Sequence, residues 1–199
     1  MYNCIFNAHC IQDVCDNSCP ALVETSYLLE RNGLDIKNDV FSSFPSDEKS
    51  LVEIATEPKS PLTVVACKDT LFVSNLLTYY AICNNWKGNR LHCNVYNLKY
   101  SMYIDKLKDS WNSTSDDEDL QYMKIWSDSC KVLIISNIDY VKFNDFESQT
   151  LLNIIQSRSM DGKSTVIVSP PLSNLVSGNS RFFDLLKAKM KSSMKAVSL

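Results

Sequence analysis

The sequence predicts an α/β fold in which a parallel β-sheet is flanked by helices. From residue 61 onward, short apolar runs rich in β-branched residues alternate with apolar stretches of helix length. The short runs are apolar on both faces, which is typical of parallel strands covered by helices on either side. The chain has 199 residues, 45% of them hydrophobic and 22% charged, so it can bury a full domain core. This composition excludes a disordered protein, and no apolar run reaches the roughly 18 residues of a membrane span.

The elements of the predicted sheet follow each other in a regular order. Strands are expected at 62–67, 91–97, 131–137 and 164–169, and helices at 70–84, 98–111 and 145–160. The segment NSTSDDED at 112–119 is expected to be a solvated acidic loop, and the basic tail over 181–199 a helix. These elements together predict one α/β domain over residues 61–199.

Two shorter regions precede this domain. A helix is expected over 21–30, ending near Asn32-Gly33, and a second one from Asp47 to about Ala55. The sequence around the second helix is polar and contains several prolines. We therefore expect a cysteine-rich head with its helix over 1–35 and a linker over 36–60.

Four of the eight cysteines crowd into the head, at Cys4, Cys10, Cys15 and Cys19. The chain start lacks the basic and apolar regions of a secretory signal, so we expect a cytoplasmic, reducing environment in which disulfides are rare. Zinc takes four thiolates tetrahedrally, whereas four unligated exposed thiols would oxidise. The cluster therefore predicts a structural Zn²⁺ site, in which His9 is an alternative ligand to Cys10. The other four, Cys67, Cys83, Cys93 and Cys130, are expected in the core.

Glycine is scarce, with only four residues in the chain. Nucleotide-binding loops use glycine to bring backbone N–H groups against phosphate. None of Gly33, Gly88, Gly162 and Gly178 lies in a predicted strand-to-helix turn of that kind. The composition thus argues against an ordinary phosphate-binding loop.

The order of several segments resembles a known family. These segments are CIFNAHCIQDVCDNSC, YLLERNGL, FPSDEK, WKGNRLHCNVYN, VLIIS and LLNIIQSRSMDGKSTVIVS. In this order they resemble replicative helicase loaders of the DnaC/DnaI type, which are AAA+ ATPases, and in particular phage and Gram-positive versions with a four-cysteine start. The resemblance implies an AAA+-like, P-loop NTPase-like domain with a small N-terminal zinc-binding module.

The chain departs from that family where nucleotide would bind. The phosphate loop, of the form GxGKT, aligns with Lys68, Asp69 and Thr70, so that a carboxylate stands in place of the lysine. The two acidic residues that hold Mg²⁺ align with Ser136 and Asn137, and Asp139 follows two residues later. The polar sensor position is Pro171. We therefore expect a pseudo-ATPase that neither binds nor hydrolyses ATP appreciably, with no catalytic residues.

Two further candidate sites in the sequence are basic. Gly178 to Arg181 resembles the family segment whose arginine acts on a neighbouring subunit's nucleotide, and the alternative is that Arg181 is an ordinary surface cation. The tail holds Lys187, Lys189 and Lys191, which are candidates for single-stranded DNA contacts. The alternative is a solvated terminal helix, since the whole chain carries a net charge of -3.

The expected function is that of an adaptor in DNA replication. The resemblance implies a replicative ring helicase of the host, or an active loader subunit, as the partner, with single-stranded DNA as a further candidate and no membrane. Two alternatives stay open. One is a repurposed scaffold that acts as an inhibitor or as a host-takeover or anti-defence factor. The other is an ATPase with an unusual site built from Lys68, Thr70 and Asp139.

Overall fold

The computed structural model describes residues 20–34, 49–56, 58–84, 86–87, 90–91, 95–111, 117–171, 182, 184–186, 188 and 194–198. The helices in this part are α1 (Pro20–Arg31), α2 (Lys49–Thr56), α3 (Thr70–Asn84), α4 (Tyr100–Ser110), α5 (Glu118–Ser129) and α6 (Asp145–Met160). The strands are β1 (Leu62–Ala66), β2 (Trp86–Lys87), β3 (Arg90–Leu91), β4 (Val95–Lys99), β5 (Val132–Ser136), β6 (Ser164–Ser169) and β7 (Met194–Ser198).

Five of these strands form one sheet in the order β4-β5-β6-β1-β7, and all of its pairs are parallel. The inner strands are short apolar runs, and every residue of β5 is buried. Such strands exclude water on both faces, so helices must cover both sides. The predicted parallel α/β sheet is therefore confirmed.

The helices divide between the two faces of the sheet. On one face α1, α2 and α3 enclose a core that includes Leu29, Ile54 and Leu77. On the other face α4, α5 and α6 enclose a second core, which includes Tyr100 and Leu151. The helices predicted over 21–30 and 47–55 thus pack in the first core with β1, although the boundaries of head, linker and domain stay a prediction.

Most predicted elements lie where the pattern placed them. The helices over 70–84 and 145–160 and the strand over 164–169 have the expected bounds, and Gly33 ends α1 with a φ of 73°. The strand predicted at 91–97 is instead β4 at 95–99, and Leu91 pairs with Trp86 in the separate two-stranded sheet. Cys67 and Cys130 are buried, as predicted.

The end of the acidic segment that the structure describes, residues 117–119, is not simply a solvated loop. Asp117 accepts the backbone N–H of Leu120 at 3.1 Å, and α5 begins at Glu118. Negative charge in a first turn is favoured by the helix dipole. Lys106 also forms ion pairs of 3.1 Å and 3.0 Å with Asp117 and Asp119, which ties the segment to α4.

The tail contradicts the prediction of one helix over 181–199. Residues 182, 184–186 and 188 are helical, but Met194–Ser198 forms β7, which pairs in parallel with β1. The free edge of β1 offers unpaired backbone groups, and a sheet ladder satisfies them over the length of the strand. Tertiary pairing thus decides the conformation of a segment whose charge pattern suggested a helix.

Candidate functional site

Ligands of open α/β sheets bind beyond the carboxyl ends of the strands. In this fold β1 leads there into Cys67 and Lys68, β5 leads into Asn137, and β6 leads into Pro170. The parallel sheet therefore brings to one edge the residues that align with the phosphate loop and those that align with the acidic motif. We call it the carboxyl edge.

The turn between β1 and α3 is short and is closed by its own side chain. Asp69 precedes the first residue of α3, and its Oδ1 accepts the backbone N–H of Phe72 at 2.8 Å. This is the geometry of an N-cap, which satisfies one of the unpaired N–H groups at a helix start. In a phosphate-binding loop these N–H groups face the ligand. Here a carboxylate of the chain itself takes one of them.

The rest of this turn also differs from a phosphate cradle. The backbone N–H of Cys67 donates to the Ser169 carbonyl at 2.9 Å, which extends the pairing of β1 with β6. Only Cys67, Lys68 and Asp69 separate the strand from the helix. Lys68 is exposed and Thr70 is buried. The turn thus presents one exposed cation, Lys68, and one exposed carboxylate, Asp69, side by side.

The position of the second acidic motif is part of a buried hydrogen-bond network. Ser136 Oγ donates to Asn97 Oδ1 at 2.7 Å, and Asn97 Nδ2 donates to Thr78 Oγ1 at 3.0 Å. Thr78 in turn donates to the carbonyl of Ser74 at 2.7 Å. Ser136 is 2% exposed and Asn97 4%. Ser136 therefore serves to hold β5, β4 and α3 together, and it offers no charge to a metal ion.

The chain turns sharply after Ser136. Asn137 has a φ of 58° and a ψ of 30°, in the left-handed region that asparagine tolerates better than most residues. A short 3-10 helix over Ile138–Tyr140 follows. Asp139 lies in this short helix, close enough to the carboxyl edge for its charge to act on Cys67.

Asp139 and Cys67 lie within electrostatic range of each other. Burial, and to a smaller extent the charges of Asp69 and Asp139, raise the pKa of the Cys67 thiol to about 11. One carboxylate oxygen of Asp139 is buried and has no hydrogen-bond partner in the described part of the chain, and the same holds for Ser169 Oγ. The carboxylates of Asp69 and Asp139 therefore lie close to the buried Cys67 thiol at the carboxyl edge, where Lys68 is the exposed cation of the turn.

The other predicted site residues lie outside the described residues. These are Cys4, Cys10, Cys15 and Cys19 with His9, and Arg181, Lys187, Lys189 and Lys191. Within the described ranges, no group of three or more His, Cys, Asp or Glu side chains is placed to hold a metal ion. The same ranges contain no helix long and apolar enough to cross a membrane. The zinc site and the DNA contacts stay predictions.

The network around Asn97 is not predicted by the sequence pattern. Asn32, near the end of α1, accepts the backbone N–H of Asn97 through its Oδ1 and donates to the Leu28 carbonyl, each at 2.7 Å. One signal for it was present, since Asn97 is a polar residue between the apolar Tyr96 and Leu98 of β4. A buried amide needs partners, but the sequence does not say which residues supply them.

Three solved structures have a similar fold. Domain III of the replication initiation protein DnaA from Thermotoga maritima superimposes with a TM-score of 0.57 at 13% identity, over 87% of this chain and 67% of that one. A DNA replication initiation factor gives a TM-score of 0.56 at 8% identity, over 79% and 48% of the two chains. The initiator DnaA bound to AMPPCP and single-stranded DNA gives 0.55 at 9%, over 83% and 51%.

These likenesses concern the fold. The chain shares with domain III of that DnaA protein an α/β architecture in which a parallel sheet is flanked by helices. It spans about half the length of two of these structures and two thirds of the third. No protein-family model and no curated protein matches the sequence.

Proposed function

We propose that this protein is a nucleotide-independent adaptor of DNA replication, an AAA+ scaffold that binds a replicative ring helicase without hydrolysing ATP. The observation that carries the proposal is the Asp69 carboxylate, which caps α3 where a phosphate-binding loop would present free N–H groups. A scaffold that does not cycle between nucleotide states still has the outer surfaces of its fold, and these can bind a partner protein.

The acidic motif supports the same conclusion. Mg²⁺ that accompanies a nucleotide needs carboxylate oxygens, and Ser136 supplies a neutral hydroxyl already bonded to Asn97. One of the similar structures is an initiator bound to AMPPCP, a nucleotide analogue, so the architecture itself is compatible with nucleotide. The proposed loss of nucleotide binding is therefore due to the side chains of this protein and not to its fold.

The helicase as partner rests on the resemblance to helicase loaders. In that reading the head with Cys4, Cys10, Cys15 and Cys19 holds a structural Zn²⁺ ion and contacts the ring helicase. An active loader subunit is the other partner of this class, and Arg181 would then act on its nucleotide. Single-stranded DNA contacts of the tail lysines are compatible with either assembly.

A thermal-shift titration tests the nucleotide half of the proposal. A ligand at 100 times its Kd adds about 2.7 kcal/mol to the free energy of unfolding, so binding would visibly raise the Tm. We expect no change in Tm with millimolar ATP and Mg²⁺. A clear rise would contradict the proposal.

One observation favours a second candidate, the ATPase with an unusual site. Asp139 has a buried oxygen without a hydrogen-bond partner among the described residues, and it lies near the β1–α3 turn. Such a site would lose its ATP-dependent rise in Tm in Asp139→Asn, whereas the matched exposed variant Asp145→Asn would keep it. The two candidates are separated by the wild-type titration alone.

Co-purification tests the partner half. Tagged protein mixed with the purified ring helicase of its host should elute with the helicase in size-exclusion chromatography, and ATP should not change the complex. Failure to bind the helicase would remove it as the partner while leaving the nucleotide result intact.

A further inference from the structure

A pair of exposed apolar side chains lies on the outer face of α1, and a second pair lies on that of α5. On α1, Val23 is 55% exposed and Tyr27, one turn later, 61%. On α5, Tyr122 is 60% exposed and Ile125, three residues later, 58%. Residues three or four apart share one face of a helix, so each helix presents one outward apolar pair. The core accounts for neither pair.

A cation–π contact joins these two faces. The guanidinium carbon of Arg31 lies 3.6 Å from the ring centroid of Trp126 and 6.0 Å from that of Tyr27. Arg31 follows Tyr27 by one helical turn, and Trp126 follows Tyr122 by one turn. The contact therefore places the end of α1 beside α5, and Tyr27 and Tyr122 each lie one helical turn before a member of this contact. We call the surface formed by Val23, Tyr27, Tyr122 and Ile125, with Arg31 and Trp126 between them, the aromatic surface.

Three exposed carboxylates flank the aromatic surface, whereas Lys124 of α5 is part-buried. Glu30 continues the exposed face of α1, and Glu118 and Asp128 lie near the two ends of α5, all exposed. None of these three carboxylates forms an ion pair with another described residue. Arg31 supplies a positive charge, but its guanidinium is covered by rings. The surface is thus an apolar centre with an acidic rim.

We propose that the aromatic surface is a docking site for a protein segment that presents apolar side chains flanked by lysine or arginine. Tyrosine, tryptophan and arginine are the residues that dominate binding energies at protein interfaces. Apolar centres with charged rims take partners of the same pattern and opposite charge. The acidic rim repels nucleic acid, which argues for a protein segment. The inference stands apart from the proposed function, because no residue of the carboxyl edge takes part.

Peptide binding tests the proposal directly on the full-length protein. The probe is a fluorescently labelled 18-residue amphipathic peptide of leucine and lysine, and its companion carries glutamate in place of every lysine. Fluorescence anisotropy should show binding of the basic peptide that weakens with salt, and binding of the acidic peptide at least tenfold weaker. Equal binding of both peptides, or no binding of the basic one, would overturn the proposal.

Two variants locate the binding. Tyr122→Ser with Ile125→Ser should weaken binding of the basic peptide at least tenfold. Leu71→Ser with Met160→Ser changes side chains of comparable or greater exposure elsewhere and should leave the affinity within twofold. Circular dichroism confirms that both variants are folded, and Glu118→Gln with Asp128→Asn, which preserves the apolar centre, should reduce the salt dependence.

The same variants separate the rival occupants. If Tyr122→Ser with Ile125→Ser abolishes binding of a 20-nucleotide oligothymidine, the surface takes nucleic acid and the proposal is wrong. If it abolishes self-association of the wild type in sedimentation velocity, the occupant is a second copy and the proposal is also wrong. Unchanged peptide binding in this variant would place the site elsewhere.

Discussion

Asn32 Oδ1 accepts the backbone N–H of Asn97 at 2.7 Å, and this hydrogen bond joins the end of α1 to the middle of β4. β4 is an edge strand, so this N–H has no partner from another strand of the sheet. The side chain of Asn32, 2% exposed, supplies that partner. The region before the predicted domain thereby completes the edge of the sheet.

Replacement of Asn32 tests this relationship. Asn32→Ala leaves the buried N–H of Asn97 unsatisfied, and we expect a loss of about 1–3 kcal/mol in the free energy of unfolding. Asn153→Ala, on the exposed face of α6, should change it by no more than about 0.5 kcal/mol. Urea denaturation of both variants measures the difference. Equal stabilities would show that the Asn32 contact contributes nothing.

The cap of α3 makes a second prediction. Asp69→Ala removes the acceptor for Phe72 N–H and should cost about 1 kcal/mol, whereas Asp69→Asn, which also caps helices, should cost clearly less. Thermal unfolding compares the two variants with the wild type. If Asp69→Ala were more stable than the wild type, the carboxylate would be a site of strain and not a cap.

Arg158 makes a third prediction, for the edge of the sheet at which β5 and β6 begin. The residue is 1% exposed, and its guanidinium donates to the carbonyls of Ser127, of Cys130 at 3.1 Å and of Ser164 at 2.7 Å. Arg158→Met leaves several buried carbonyls unpaired and should cost about 3 kcal/mol or more.

Chemical denaturation measures that cost against a matched control. Lys163→Met removes a cation at the end of the same α6–β6 turn, where the side chain is only part-buried, and it should cost less than about 1 kcal/mol. If the two variants were equally stable, the hydrogen bonds of Arg158 would not hold this edge together.

The buried thiol of Cys67 makes a pH-dependent prediction. Burial raises the pKa of Cys67 to about 11 in the folded protein, from an ordinary value of 9.0. The folded state therefore holds the thiol proton more tightly than the unfolded state does. The resulting contribution to the free energy of unfolding is present below pH 9 and is lost as the pH rises toward 11. Relative to Cys67→Ala, the wild type should lose free energy of unfolding over that window. Parallel curves for the two proteins would contradict the assignment.

The sequence predicted most of the fold because its strands and helices differ in length and pattern. β5 and β6 are apolar runs of five and six residues, and α6 spans a longer stretch with its own cap at Asn144. At the carboxyl edge, the prediction that ATP is neither bound nor hydrolysed rests on the identities of Lys68, Asp69, Ser136 and Asn137. They did not predict that Asp69 caps α3 or that Ser136 bonds to Asn97, because both facts depend on distances.

Local pattern by itself determined an α/β domain with a parallel sheet, since periodicity and β-branched content are properties of neighbouring residues. Only the tertiary structure decided that Met194–Ser198 is a strand and that Asn32 serves the edge of β4. It also decided that Arg31 lies over the ring of Trp126. The physical reason is the same in each case. An unpaired backbone group or an exposed ring acquires its partner from a segment far away in the sequence, and chain folding alone brings the two together.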